Sequence, residues 1–248
     1  METKHRLEME KKQKSRTNLF NQSMIQKKKK AGEDVKVVSQ RLIVIARLHH
    51  RSADRTELGA HYEKLNFELS KQHIVDEITG LLLIYPSCLL HVIESSGDIL
   101  TSVLEDLKVL QQQPDRGLLE AKILFMAHNI ENRLFEEWSY KVLDEDQVVG
   151  SVGVRGYEED DEKTEHLFCS VLSILQKLAE HLERPPKALP ELVLDETPGL
   201  IIPQRTLEKL LHRDEFMSPE QYLHLYKSPL NINTGFGHLT ARSLLSFT

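Results

Sequence analysis

Cysteine is almost absent from this sequence, with two residues in 248, and tryptophan occurs once. Cys88 and Cys169 stand inside apolar stretches, at neither disulfide nor metal-ligand spacing. That excludes a disulfide-stapled secreted scaffold and a cysteine-based zinc site, and both thiols are expected to be buried in a reducing compartment. Long apolar runs are lacking too. Residues 42–46 and 81–84 are among the longest, far short of the ~20 residues a membrane-spanning helix needs. The charged opening Met1-Glu2-Thr3-Lys4-His5 has no apolar segment behind it, so no signal peptide is expected and a cytoplasmic location is read. Glycine-rich phosphate loops, a nucleophile elbow and metalloprotease signatures are also missing. The sequence does not point to an enzyme.

What is present is an ordinary apolar and charged balance, 40% and 28%, with charge unevenly spread. Residues 1–30 carry a net +7, leaving −13 on the remainder. A basic arm on an acidic body can meet nucleic acid or an acidic polymer surface. Here Lys27-Lys28-Lys29-Lys30 has no aromatic residue interleaved, so a solvated arm is the expectation and nucleic acid is not an expected partner. The acidic groups Asp144-Glu145-Asp146 and 158–162 lack the alternating ligands and central glycine of a calcium loop and read as linker.

Periodicity divides the chain into four segments: a basic arm (1–36), an α+β domain (37–145), an acidic linker with a helical extension (146–228) and a tail (229–248). Val37-Val38 and residues 42–46 form a β-rich run, read as a buried strand. Leu58, Tyr62, Leu65 and Leu69 share a helical face. The apolar runs 77–85 and 88–94 are separated only by Pro86-Ser87, which predicts a hairpin. Ser96 is read as the N-cap of a second helix whose core face is Ile99, Leu100, Val103, Leu104, Leu107 and Leu110. Residues 118–127 and 138–143 read as further strands. The order β-α-β-β-α-β, with one strand appended, is the split βαβ, ferredoxin-like arrangement: a mixed sheet with two helices on one face. Farther on, Leu167, Phe168, Val171, Leu172, Leu175, Leu178 and Leu182 give an amphipathic helix ended by Pro185-Pro186. Its apolar face needs either the open side of the sheet or a second copy of the chain. Ser218-Pro219-Glu220-Gln221 combines an N-cap, a proline at the first helical position and a capping-box glutamine.

Four blocks carry a resemblance: Arg41-Leu42-Ile43; Ile78-Thr79-Gly80-Leu81-Leu82; Leu89-Leu90-His91-Val92-Ile93-Glu94; and Arg133-Leu134-Phe135-Glu136-Glu137-Trp138-Ser139. In this order and at similar separations they resemble the BLUF family, bacterial domains that sense blue light with a flavin. The resemblance covers residues 41–143 and implies the ferredoxin-like fold just read. It also implies a photochemical trio: a tyrosine in the first strand, a glutamine in the third, and an asparagine at the end of the first helix that holds the flavin. Those positions are Val44, His91 and His73 here. Valine has no hydroxyl, and an imidazole cannot offer an amide's donor and acceptor in the same geometry. The expectation is a degenerate member of the fold with vestigial pocket positions Val44, His73 and His91, no photochemistry and no flavin or metal cofactor. Two imidazoles without a third ligand make a poor zinc site.

The lysine-rich arm, degenerate core and helical extension together resemble a testis-expressed vertebrate branch of that fold. This implies male germ cells and the sperm flagellum as the setting. The function read from the sequence is a non-enzymatic protein-interaction module, with a homodimer or an axonemal or cytoskeletal assembly as partner. The alternative is a sensor that keeps a flavin or another small ligand between its two core helices.

Overall fold

The computed structural model describes residues 38–49, 55–73, 76–113, 118–149, 162–182 and 190–227. The basic arm, the acidic run up to residue 161 and the tail from 229 onward lie outside the described residues. Five strands form one sheet: β1 (Gln40–Leu48), β2 (Thr79–Ile84), β3 (Cys88–Ser95), β4 (Leu118–Ala127) and β5 (Trp138–Val142), in the order β4-β1-β3-β2-β5. Neighbours are antiparallel except β5, which runs parallel to β2. The fold is the α+β, ferredoxin-like one, with a mixed sheet and a helical C-terminal region. The first strand begins at Gln40 rather than Val37; Val38 precedes it and is exposed. Among the described residues no helix is long and apolar enough to cross a membrane.

One sheet face carries Leu42, Val44, Ala46, Leu82, Ile84, Leu89 and Ile93. It is covered by α1 (Arg55–Gln72) and α2 (Gly97–Gln112). On α2 the buried residues are those the periodicity predicts. On α1 the centre of the buried face is Gly59, Tyr62, Asn66 and Leu69, with Leu58 and Leu65 at its margin. Gly59 explains the rotation. A Cβ there would lie 2.2 Å from the Tyr140 ring, so only glycine lets α1 settle this close to β5. Ser96 precedes α2, but its side chain makes no cap and bonds Asp76 instead.

The opposite face, with Ile43, Ile45, Leu81, Leu83, Leu90 and Val92, is also buried. After the short α3 (Glu145–Val149), the chain covers it with α4 (Thr164–Leu182), α5 (Pro190–Glu196), a 3-10 turn (Pro198–Leu200) and α6 (Gln204–Leu211). The amphipathic α4 therefore finds its partner in the open side of its own sheet. Burial on both faces is why the central strands read as continuous apolar runs rather than alternating ones. Cys88 is buried on this side, where burial above all, then the Glu208 carboxylate, pushes its thiol up to about 12. Cys169 corrects the sequence reading: it is exposed, because α4 turns only one side to the sheet. The last helix, α7 (Pro219–Lys227), returns to the first face through Tyr222 and Leu223. Its capping box is formed, Ser218 N–H to Gln221 Oε1 at 2.8 Å and Gln221 N–H to Ser218 Oγ at 3.1 Å.

One buried carboxylate joins the strands to the loop before β5. Glu94 is fully buried. It accepts Arg41 Nε at 2.6 Å, Thr79 Oγ1 at 3.1 Å, and the backbone N–H groups of Leu134 (3.0 Å) and Phe135 (3.3 Å). Arg41, Glu94 and Thr79 are direct neighbours across β1, β3 and β2. Arg133 crosses the same end, donating to the carbonyls of Glu77 and Glu94, to Thr79 Oγ1 and to Ser39 Oγ. Gly80 makes the close strand approach beside this network feasible: its φ is +148°, and a Cβ would meet the Val92 carbonyl oxygen at 2.1 Å. Removing one partner from a buried ionic group costs about 3–5 kcal/mol. Glu94→Ala is expected to lose about 3 kcal/mol, the lower end, because Arg41 keeps some solvent contact. Urea denaturation with an unchanged m-value measures this; a loss under about 1 kcal/mol would show that the carboxylate is not what fastens the loop.

Candidate functional site

Val44 and His91 face each other across the β1–β3 ladder, on the side covered by α1 and α2. Val44 gives that position a small apolar side chain. His91 is 1% exposed, so its ring must find polar partners inside the protein. Trp138 Nε1–H donates to His91 Nε2 at 3.1 Å. The neutral ring therefore carries its proton on Nδ1. Burial alone pushes the His91 pKa from 6.5 to about 3, because a charged imidazolium would lose its hydration there. The Tyr62 ring meets His91 edge-on with centroids 4.8 Å apart, and Trp138 and Tyr140 continue the aromatic layer along β5.

His73 lies elsewhere. It follows the last turn of α1, half-buried, its N–H bonded to Leu69 O and its Nδ1 at 3.7 Å from Asp76 Oδ2. The partner of His73 is thus Asp76, while His91 belongs to the layer under the middle of α1. The two helices are joined at their facing sides by His61 Nε2 and Asp106 Oδ2, 2.8 Å apart. Tyr62 is fully buried just beneath, its hydroxyl pKa pushed well above the ordinary value by burial first and the Asp106 carboxylate second. Among the described residues, no group of three or more His, Cys, Asp or Glu side chains is placed to hold a metal ion.

Tyr62, Asn66 and Trp138 are the members of this layer that the candidate set Val44, His73 and His91 does not contain. Tyr62 reads as one more apolar residue of a helical face, and Trp138 as a strand residue. Asn66 did leave a signal, a polar residue one turn beyond Tyr62 and one turn before Ser70, but helical period alone does not tell a polar margin from a polar centre.

The family model described as testis-expressed protein 47 matches residues 38–228, more than half of the chain. The chain belongs to that family. Among solved structures it is similar to the BLUF domain of BlrP1, at 18% identity over 62% of this chain and 97% of that one, with a TM-score of 0.35. It is similar to BlsA in its ground state, at 16% identity over 55% of this chain and 87% of that one, with a TM-score of 0.37. With the longer BlrP1 of Klebsiella pneumoniae, solved with FMN and cyclic diGMP, it shares 20% identity over 43% of its own length. It spans only 26% of that protein, with a TM-score of 0.33. These likenesses concern the fold.

The depressed His91 pKa has a pH consequence whose sign is fixed. Below its ordinary pKa of 6.5 the unfolded chain binds a proton at this ring, and the folded chain does not until about pH 3. Stability from the neutral buried ring is therefore complete above 6.5 and is lost as pH falls toward 3, by up to roughly 1 kcal/mol per pH unit. His91→Leu is expected to be less acid-sensitive than the parent chain when urea midpoints are compared between about pH 7 and about pH 4.5. Parallel pH profiles would mean that His91 takes up its proton in the folded state.

Proposed function

We propose that the chain is a non-enzymatic interaction module, its BLUF-like core a rigid platform and its α7 region the contact surface. The observation that carries this reading is the exposed apolar surface of α7. Leu225 and Tyr226 are 60% and 65% exposed, with Met217 exposed just before the helix. A cleft of about 520 Å³ is lined by apolar Phe216, Met217 and Leu225 together with acidic Asp214, Glu215 and Glu220. Apolar side chains grouped beside polar ones are the usual marks of a protein-binding surface. The family description, testis-expressed, supports male germ cells as the setting; the proposal adds the sperm flagellum as the place and an axonemal or cytoskeletal assembly, or a second copy of the chain, as the partner.

The same reading accounts for the layer beneath the helices. A flavin would have to lie between α1 and α2, where the His61–Asp106 contact joins the helices and Tyr62 stands directly on His91. Those residues do not fit an isoalloxazine ring, and Val44 offers no hydroxyl to a photochemical switch. Loss of light sensing follows in this proposal. Nor does the strongest polar cluster on the other face suggest catalysis. Ser87 bonds Glu208 and Gln204 directly, with no imidazole between the hydroxyl and the carboxylate to act as base.

Leu225→Asp combined with Tyr226→Ser tests the surface. Both positions are exposed, and Tyr226 also stacks on Tyr222 with centroids 4.3 Å apart, so the unfolding free energy should stay within about 1.5 kcal/mol of the parent. The proteins recovered specifically with the parent chain from testis extract are expected to be lost with the variant. Deleting residues 228–248 is expected to weaken the same binding without unfolding the core. A partner set unchanged by the double substitution would overturn the assignment to α7. Purified protein carrying a flavin, seen as absorbance in the blue, would establish the ligand-sensor alternative instead.

A further inference from the structure

Four buried polar atoms in the layer between α1 and the sheet have no hydrogen-bond partner among protein atoms: Tyr62 Oη, Asn66 Oδ1, Asn66 Nδ2 and His91 Nδ1. All three residues are more than nine-tenths buried. They are close in the fold. Tyr62 and His91 have ring centroids 4.8 Å apart, and Asn66 lies one helical turn beyond Tyr62 on the same buried face. Such atoms are ordinarily paired in a folded protein, with protein or with ordered water, because leaving each unpaired costs about 1–3 kcal/mol.

We propose that Tyr62, Asn66 and His91 form an internal binding site for ordered water, one or two molecules bridging α1 to β3. The donor and acceptor pattern fits that occupant. Trp138 holds His91 Nε2 as an acceptor, so Nδ1–H is a buried donor left without a protein partner. Asn66 adds one donor and one acceptor, and the Tyr62 hydroxyl can serve as either. A molecule that accepts from Nδ1–H and the amide, and donates to the amide oxygen and the phenol, has the hydrogen-bonding capacity of water. A cation would meet two N–H donors. A carboxylate or phosphate would be an uncompensated charge in a buried layer beside Asp106. A planar ring needs the space that Tyr62 takes over His91. The site is independent of the α7 surface, and neither depends on the other.

Tyr62→Phe and Asn66→Leu, singly and together, test the proposal. If water bridges these groups, each substitution removes a hydrogen bond and lowers the melting temperature by about 2–4 °C. The double variant should then lose less than the sum, since both groups serve one network. If the groups are dry and unpaired, each substitution removes a buried penalty and raises the melting temperature, which would overturn the proposal. An NMR measurement on the parent chain does not depend on the variants folding. A cross-peak between the His91 Nδ1–H proton and a long-lived water is expected. Its absence from a visible Nδ1–H signal, or native mass spectrometry showing a tightly held small molecule, would overturn it as well.

Discussion

The Glu94 carboxylate is the constraint on which the remaining structure depends. It is buried without any water-facing side, and a lone buried carboxylate would be strongly unfavourable. The fold supplies one arginine, one hydroxyl and two backbone N–H groups to it. Each comes from a different part of the chain. Arg41 is the second residue of β1, Thr79 opens β2, and Leu134 and Phe135 belong to the loop that leads into β5. Pairing them sets the register of three strands and the point at which the fifth can join alongside β2. The four sequence blocks that carry the BLUF resemblance are thus largely one interaction seen four times. They report that this end of the sheet is fastened in this way, and they are silent on what the middle of the sheet does.

The middle of the sheet follows a different logic. His91 is three residues before Glu94 and faces the opposite side. There the chain has no charge to neutralise, only polar groups to accommodate. Val44 leaves room across the ladder, Gly59 brings α1 down onto Tyr140, and Tyr62 closes over the imidazole. Trp138 fixes the tautomer, and burial keeps the ring neutral. A group held neutral down to about pH 3 is a poor proton carrier at ordinary pH. What it shows is a structural role, as the acceptor for Trp138 Nε1–H.

Much of the core was legible from the sequence because period and punctuation agree there. The apolar runs of β1 to β4, Pro86-Ser87 at the hairpin and the six apolar positions of α2 each follow from local pattern. What was not legible depends on contacts between distant segments. Helical period identifies α4 as amphipathic, yet only the covered sheet face shows that its partner is intramolecular. The same period placed Leu58 and Leu65 at the centre of α1, where the Gly59–Tyr140 approach turns Asn66 inward instead. Cys169 lies in an apolar stretch but on the outward side of α4. In the candidate site, residues 44 and 91 meet because strand register joins them, while residue 73 sits past the helix end against Asp76. A sequence motif shows that such positions exist, and register decides which of them touch.

Covering both sheet faces has a consequence for where the molecule can meet others. The face opposite α1 and α2 is filled by the chain's own α4 to α6, so it cannot serve as a dimer surface without displacing them. At one sheet edge, β4 is partly paired by the segment before α7: Ile123 N–H donates to Met217 O at 2.8 Å, and Lys122 reaches Arg213 O. That segment protects the edge from pairing with another chain. It also carries Phe216 and Met217 into the lining of the cleft and launches α7, with Leu225 and Tyr226 exposed. The stretch that closes the sheet is therefore also the one that displays apolar side chains to solvent. Its inward half, Tyr222 and Leu223, is anchored in the helix-side core, so the outward half is held on a rigid support. In the proposed role, a surface supported this way would need little ordering on binding, which lowers the entropic cost that weakens association.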